Sequence, residues 1–405
     1  MLGQALMLIH TGRAPTRSVL TSALGVTRAT AGTLVSELQA LGLIQVDDVG
    51  HPGPAQQGPA PQGRPSHRLS IGPAGPVALA AQLHPDGFDV ALIGLGARVI
   101  AAQSCTQAIS ADPAAALAAI AEVAARLLAD AGRPCAGAGL AVPSAVTSLD
   151  GTMVAPYYRL GWPTGTPVRD LFAGKLRLAG VARADGRGLR CSAANDINLA
   201  ALAEHRHGAG RGSSHLLVVA TGHGGVGGAL VIDGTLYAGS TGLGMEAGHV
   251  SVDTAGLPCQ CGSRGCLSVE ADAARFMALA GRPAEPGTPE LSQAIAVLRR
   301  DYAVDPAVRA ATATLIERLG LGVADLINVI NPDRVLLGGL HRDLLEADPV
   351  GLRAAVAERS PWGRGAGVPL VPAGLEQATL IGAAEIAWQP VLDDPASAAG
   401  TARMD

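Results

Sequence analysis

Glu246-Ala247-Gly248-His249, followed by Cys259-Gln260-Cys261-Gly262-Ser263-Arg264-Gly265-Cys266, is the stretch on which the reading of this chain turns. Three thiols fall within eight residues, and the glycines between them let the backbone curl around an ion. His249 lies ten residues before the first thiol, so the set predicts a closed tetrahedral Cys3His shell holding one structural Zn2+ per chain. Two other readings use the same residues. One is three reduced core cysteines beside an unrelated histidine; the other is an iron–sulfur cluster, for which a fourth cysteine is not nearby. Cys105, Cys135 and Cys191 are scattered in apolar surroundings and read as ordinary core residues rather than halves of disulfides.

Outward from this cluster, composition sets the frame. The 405 residues allow a small domain plus one large or two medium ones. Hydrophobic residues at 48%, charged at 16% and aromatics at only 2% describe a soluble protein with an aliphatic core. No signal-peptide pattern opens the chain, and its apolar stretches are short and broken by Gly or charge, so a cytoplasmic location with no membrane partner is expected. A net charge of −4 argues against binding nucleic acid over the whole surface. It leaves room for a small domain of different charge.

The first 47 residues supply such a domain. Apolar residues at Leu2, Leu6 and Ile9 mark one helix, and Arg17 to Leu24 and Arg28 to Leu41 mark two more. Gly25-Val26-Thr27 separates the last two, with Gly permitting the tight turn and Thr27 placed to cap the next helix. This spacing predicts a helix-turn-helix. Leu43 to Val46 and Ser66 to Ser70 read as paired strands of a wing, and residues 49–63, rich in Pro, Gly and Gln, as a mobile wing tip or linker. On the third helix Arg28, Ala29, Thr30 and Thr33 would face the major groove of double-stranded operator DNA, where Arg reads guanine and Thr methyls touch thymine. Thr27 joins them at the helix start, and Arg13, Arg17 and Arg64 are expected phosphate or minor-groove contacts. Asp47 and Asp48 weaken the basic patch, and the same helices would also suit a dimer or protein-binding module.

From about residue 77 the pattern alternates: strand Val90 to Leu95, helix Pro113 to Ala131, strand Gly137 to Val142, helix Asp196 to His205, strand Leu216 to Val219. Alternation of this kind predicts α/β architecture. One long helical stretch is expected from Val269 to Leu326, then a buried strand from Arg334 to Leu337. No fixed-period repeat is visible.

Glu246-Ala-Gly-His249 with Cys-x-Cys-Gly-x-x-Gly-Cys closely resembles the signature of the ROK family (repressors, open reading frames and kinases), whose members are sugar kinases or sugar-responsive regulators. Asn195-Asp196 opening a helix, the turn Gly224-Gly225-Val226-Gly227-Gly228, Asn331-Pro332 before Gly338-Gly339, and Gly382-Ala383-Ala384 extend the resemblance over residues 1 to 390. It implies a winged helix-turn-helix over residues 1–72, then an actin-like (ribonuclease H-like) ROK domain of two α/β lobes over 73–395 with a sugar cleft between them, and a tail at 396–405. It also implies a homodimer or homotetramer.

The resemblance assigns sugar contacts to Asn195, Asp196, Glu246 and His249, with His249 holding zinc by one nitrogen and offering the other to the ligand. Asp196 matches the general base of the kinases, since a carboxylate accepts from a sugar hydroxyl and can take its proton. By itself, Asn195-Asp196 reads equally well as a helix N-cap pair. Ser268 stands where the family usually carries a sugar-gripping Glu, with Glu270 the next acid, and Tyr157 where a sugar-contacting Asn is common. An altered sugar, a sugar phosphate or a lost ligand would each fit these departures.

The phosphate loops depart further. Gln82-Leu-His84-Pro-Asp86 replaces the Asp-x-Gly-x-Thr turn: Pro85 lacks an N–H donor, His84 replaces a flexible Gly, and Asp86 would repel a triphosphate. Gly224 stands in place of a phosphate-contacting Thr. The sequence therefore predicts a DNA-binding regulator, a repressor more often than an activator, of carbohydrate genes rather than an enzyme. An ATP-dependent hexose kinase is the alternative, and a DNA-binding regulator without sugar binding a third reading.

Overall fold

Thr16 and Thr27 start helices because their hydroxyls accept the orphan N–H groups of Val19 and Thr30, at 3.3 and 3.2 Å. The helices are α1 (Leu2–His10), α2 (Arg17–Leu24) and α3 (Arg28–Ala40). Gly25, at φ +63°, turns the chain between α2 and α3. One stripe of α3, Ala31, Leu34, Val35 and Leu38, is buried. Strands β1 (Ile44–Asp47) and β2 (Arg68–Ile71) pair antiparallel, from Ile44 opposite Ile71 to Asp47 opposite Arg68, each ending one residue later than the sequence pattern suggests. The computed structural model describes residues 1–47, 67–106, 109–148, 150–154, 161–182, 188–222, 224–283, 289–361 and 367–396. Asp48, the expected wing tip at 49–63, Arg64, Ser66, Tyr157 and the expected tail beyond residue 396 lie outside them.

Two sheets follow. The first contains β3 (Val77–His84), β4 (Gly87–Gly94), β5 (Arg98–Cys105), β6 (Cys135–Val142) and β7 (Cys191–Asn195), ordered β5-β4-β3-β6-β7. The second contains β8 (His215–Gly222), β9 (Gly225–Ile232), β10 (Thr235–Leu236), β11 (Arg334–Gly338) and β12 (Leu370–Pro372), ordered β10-β9-β8-β11-β12. In each sheet the leading strand pairs antiparallel with the second and parallel with the fourth. The chain thus repeats one topology twice, although no repeat is visible in its residues, because topology is carried by strand order and backbone pairing. Helices α4 (Pro113–Ala131) and α5 (Val168–Leu178) pack together in the first lobe, and α6 (Asp196–His207) leads from it into the second.

The single helical stretch expected over 269–326 is broken. It divides into α7 (Leu267–Glu270), α8 (Ala273–Leu279), α9 (Glu290–Asp301) and α10 (Pro306–Ile330). Asp272 restarts the chain by accepting from Arg275 N–H at 2.8 Å, and Asp305 by accepting from Ala307 N–H at 2.8 Å with Pro306 in the first turn. Helices α11 (Leu340–Ala347) and α12 (Pro349–Glu358) complete the second lobe.

The last helix, Ala378–Asp393, returns to pack on α6, β6 and β3. Close approach requires glycine at two places, since a side chain on Gly139 would strike the Ala383 carbonyl and one on Gly382 the Leu199 carbonyl. Trp388 is fully buried and donates its indole N–H to the Ile93 carbonyl at 3.1 Å. Leu6 and Ile9 of α1 belong to the same apolar core as Trp388, so the N-terminal helices share a core with the C-terminal helix. Among the described residues no helix is long and apolar enough to cross a membrane.

Candidate functional site

The cluster of the opening stretch is assembled by backbone. Glu246 enters a short 3-10 turn, Ala247–His249, from Met245, which is held at φ +68°, a left-handed conformation that a non-glycine residue adopts only at a cost. Gly248 packs under the Val226 carbonyl of β9, where a side chain has no room. The cysteine loop is laced to this turn: Leu267 N–H donates to Val250 at 2.9 Å, Val252 N–H to Gly265 at 2.8 Å, and Cys259 N–H to Ser263 at 2.8 Å. Gly265, at φ +62°, lies against the Asp253 carbonyl.

His249, Cys259, Cys261 and Cys266 converge so that one donor atom from each lies within 4.8 Å of all the others. Cys261 Sγ and Cys266 Sγ are 3.7 Å apart, and Cys259 Sγ is 3.7 Å from His249 Nδ1. A tetrahedral ion with bonds of about 2.3 Å to sulfur and 2.0–2.1 Å to nitrogen needs edges of about 3.8 and 3.6 Å. The residues therefore fit a metal of that size, with Nδ1 turned toward it. Burial and the neighbouring thiols push the Cys266 thiol up to about 12 in the absence of a cation. By contrast Cys105, Cys135 and Cys191 are unpaired, and Cys135 is fully buried with its thiol pushed up to about 12 by burial.

Asn195 and Asp196 stand at the junction of β7 and α6. Asn195 Oδ1 caps the helix by accepting from Ile197 and Asn198 N–H at 2.9 and 3.2 Å, and its Nδ2 donates to the Ser144 carbonyl and to Asp196 Oδ1. The N-cap reading of this pair is thus what the contacts show. Asp196 is 7% exposed, and burial raises its carboxyl to about 6, with the charge of Glu246 adding to the rise. Burial raises Glu246 too, while His249 acts in the opposite direction. Asp196, Glu246 and His249 thus form an electrostatic series from the start of α6 to the thiol cluster.

The departures acquire physical meaning. Ser268 Oγ accepts the Val226 N–H at 3.0 Å and lies against Gly225, so it closes the glycine-rich turn between β8 and β9. Glu270 does not replace the missing acid, because it is buried behind the cysteine loop, accepting from Leu257 N–H at 2.6 Å and facing Arg275. Gln82 and His84 end β3, Pro85 and Asp86 form the hairpin turn, and His84 lies 3.6 Å from Asp89. Gly224 lies in the turn before β9.

At the other end of the molecule Arg13, Arg17, Thr27, Arg28, Ala29 and Thr33 are exposed. Thr30 is half-buried, its hydroxyl 2.9 Å from that of Thr27, and Thr33 donates to the Ala29 carbonyl at 3.3 Å. Ser36 is exposed one turn beyond Thr33.

The ROK family model matches residues 86–389. The glucokinase of Thermotoga maritima is 35% identical over 167 residues, 36% of this chain and 49% of that protein. The DNA-binding transcriptional dual regulator NagC of Escherichia coli is 26% identical over 211 residues, 50% of this chain and 51% of that protein. The chain spans about half the length of such curated relatives. Its fold is similar to that of a ROK family transcriptional regulator, a homologue of the E. coli MLC protein, with a TM-score of 0.71 and 22% identity, covering 99% of this chain and 96% of that one.

Proposed function

The chain belongs to the ROK family, and from that premise we propose that it is a sequence-specific DNA-binding regulator of carbohydrate genes, acting as a repressor. Residues 1–72 form its winged helix-turn-helix and residues 73–395 its sensor and oligomerisation domain, in a homodimer or homotetramer. The observation that carries the reading is the pairing of an exposed Arg28 helix with a glycine-rich turn in which the Val226 N–H is already bonded to the Ser268 hydroxyl. The regulator NagC among its relatives supports it.

Arg28, Ala29, Thr30 and Thr33 read bases, Thr27 fixes the start of their helix, and Arg17 and Arg64 hold phosphates. A sugar or sugar phosphate binds at Asn195, Asp196, Glu246 and His249. One Zn2+ is held by His249, Cys259, Cys261 and Cys266; bound there, it neutralises the thiolates and fixes the loop that aims Glu246. His249 Nδ1 faces the cluster, which leaves Nε2 for the ligand. Ligand changes DNA affinity only through unequal binding to two arrangements of the protein. Titrating a panel of sugars and sugar phosphates against binding to selected genomic fragments should shift the apparent affinity for at least one of them, and no shift with any would remove the effector.

A second reading, an ATP-dependent hexose kinase, is favoured by Asp196, whose carboxyl at about 6 suits a general base, and by the glucokinase relative. Release of ADP with the same panel separates the two. A regulator without sugar binding, suggested by Ser268, would show DNA binding with no thermal shift on any sugar.

A further inference from the structure

Helix α6 has the candidate effector residues at one end and a buried ionic joint at the other. Twelve residues long, it spans about 18 Å. Its last turn presents Arg206 and His207 to Glu385 of the final helix, at 2.7 and 2.9 Å. Glu385 is fully buried, and His10, the last residue of α1, reaches both its oxygens at 2.9 and 3.0 Å. Arg206 also donates to Gln389 at 2.7 Å, and Arg211 to the Thr11 carbonyl at 2.7 Å. His10, His207 and Glu385 stand close enough to hold an ion. Yet His10 Nδ1 accepts the Gly96 N–H at 2.9 Å. That bond assigns the ring proton to Nε2, which therefore donates to Glu385 and has no lone pair for a metal. The joint is a hydrogen-bonded carboxylate serving elements from three parts of the chain.

The elements it joins are stiff. The Leu199 carbonyl lies against Gly382 and the Leu392 carbonyl against Gly3, with no room for a side chain at either glycine. The Glu204 carboxylate fixes the chain just past the C-terminal end of α6, accepting from Ala209, Gly374 and Leu375 N–H at 2.7 to 2.8 Å. A displacement at Asn195 thus has no soft segment in which to dissipate before it reaches His10.

We infer that α6 is a rigid link carrying changes at the Asn195-Asp196 site to the N-terminal helices through the Arg206–Glu385–His10 joint. Glu385 and His10 are positioning residues. The consequence for DNA affinity rests on the regulator reading above, but the mechanical link does not.

Hydrogen–deuterium exchange on the full chain, without ligand or DNA, tests the link. Asn195→Ala removes the cap at one end of α6, and amides of α1 should exchange about fivefold faster, the equivalent of a lost cap of about 1 kcal/mol. Asn195→Ser keeps a capping oxygen without placing a second carboxylate beside Asp196 and should stay within about twofold of the unaltered protein. Exchange in α4, outside the link, should not change. In His10→Ala, α1 is already released and Asn195→Ala should add little. Because coupling is reciprocal, His10→Ala alone should also speed exchange in the first half of α6, which gives a reading should Asn195→Ala fail to fold. Unchanged α1 exchange in a folded Asn195→Ala, unchanged α6 exchange in His10→Ala, or a rise shared equally by α4 would overturn the inference. A sugar without effect on DNA binding would defeat the regulator reading and leave this result untouched.

Discussion

Asp196→Asn should make the ligand-free protein more stable at neutral pH. Burial raises the carboxyl from an ordinary 3.8 to about 6. Above pH 6 the folded chain must therefore hold it ionised, at a cost of about 3 kcal/mol for a rise of about two units. Asn retains the acceptor for Ile197 N–H, at 2.9 Å, and for the Asn195 amide, at 3.0 Å. It forgoes the attraction of a negative charge to the helix start, about 0.5 kcal/mol. The expected net gain is about 2 kcal/mol at pH 7.5, measured by urea unfolding. The sign with pH follows from the direction of the shift. Below 3.8 both folded and unfolded states are protonated and the penalty is absent; it grows between 3.8 and about 6 and is complete above. The advantage of the variant must therefore shrink as pH falls from 6 toward 4. Acid lability of the Cys3His cluster is common to both proteins and leaves the difference intact. An Asn variant no more stable at pH 7.5, or an advantage that persists at pH 4, would refute the reasoning and with it the case for a destabilised functional carboxylate.

Three further outcomes are expected. Cys261→Ser should lower bound zinc from one per chain toward none, measured by a chromophoric chelator, and cost a large part of the roughly 10 kcal/mol that a structural zinc supplies to folding; full zinc content would remove Cys261 from the ligand set. Arg28→Ala, at an exposed position, should weaken specific DNA binding by about 1–3 kcal/mol with unfolding unchanged within about 0.5. Unaltered affinity would refute the assignment of α3 as the reading helix. Gly139→Ala forces a methyl against the Ala383 carbonyl and should destabilise by about 3 kcal/mol in urea; a neutral effect would show that β6 and the last helix can separate.

What could be read from sequence was what is encoded locally. Helix α4 matches its expected bounds because Asp112 caps its start, accepting from Ala114 N–H at 3.0 Å, and Gly132 at φ +57° ends it. The cysteine cluster was legible because spacing alone constrains its donors. Strand β3, Val-Ala-Leu-Ala-Ala-Gln-Leu-His, is not legible locally because its alanines favour helix, and only pairing with β4 and β6 makes it a central strand. The joint at Glu385 was invisible for the same reason: His10 and Glu385 are 375 residues apart, and no local pattern brings them together. Ser268 is legible in sequence only as a departure at the sugar site, since the bond of its hydroxyl to the Val226 N–H joins residues 42 apart.

The most direct test of the central claim is fluorescence anisotropy of the purified zinc-loaded protein with DNA fragments it selects from a genomic pool, titrated with the sugar panel. The account predicts a specific fragment bound at least about 10³-fold more tightly than random DNA, with affinity shifted by one sugar. Binding no tighter than to random DNA, together with sugar-dependent ADP release, would contradict it and make the chain a kinase.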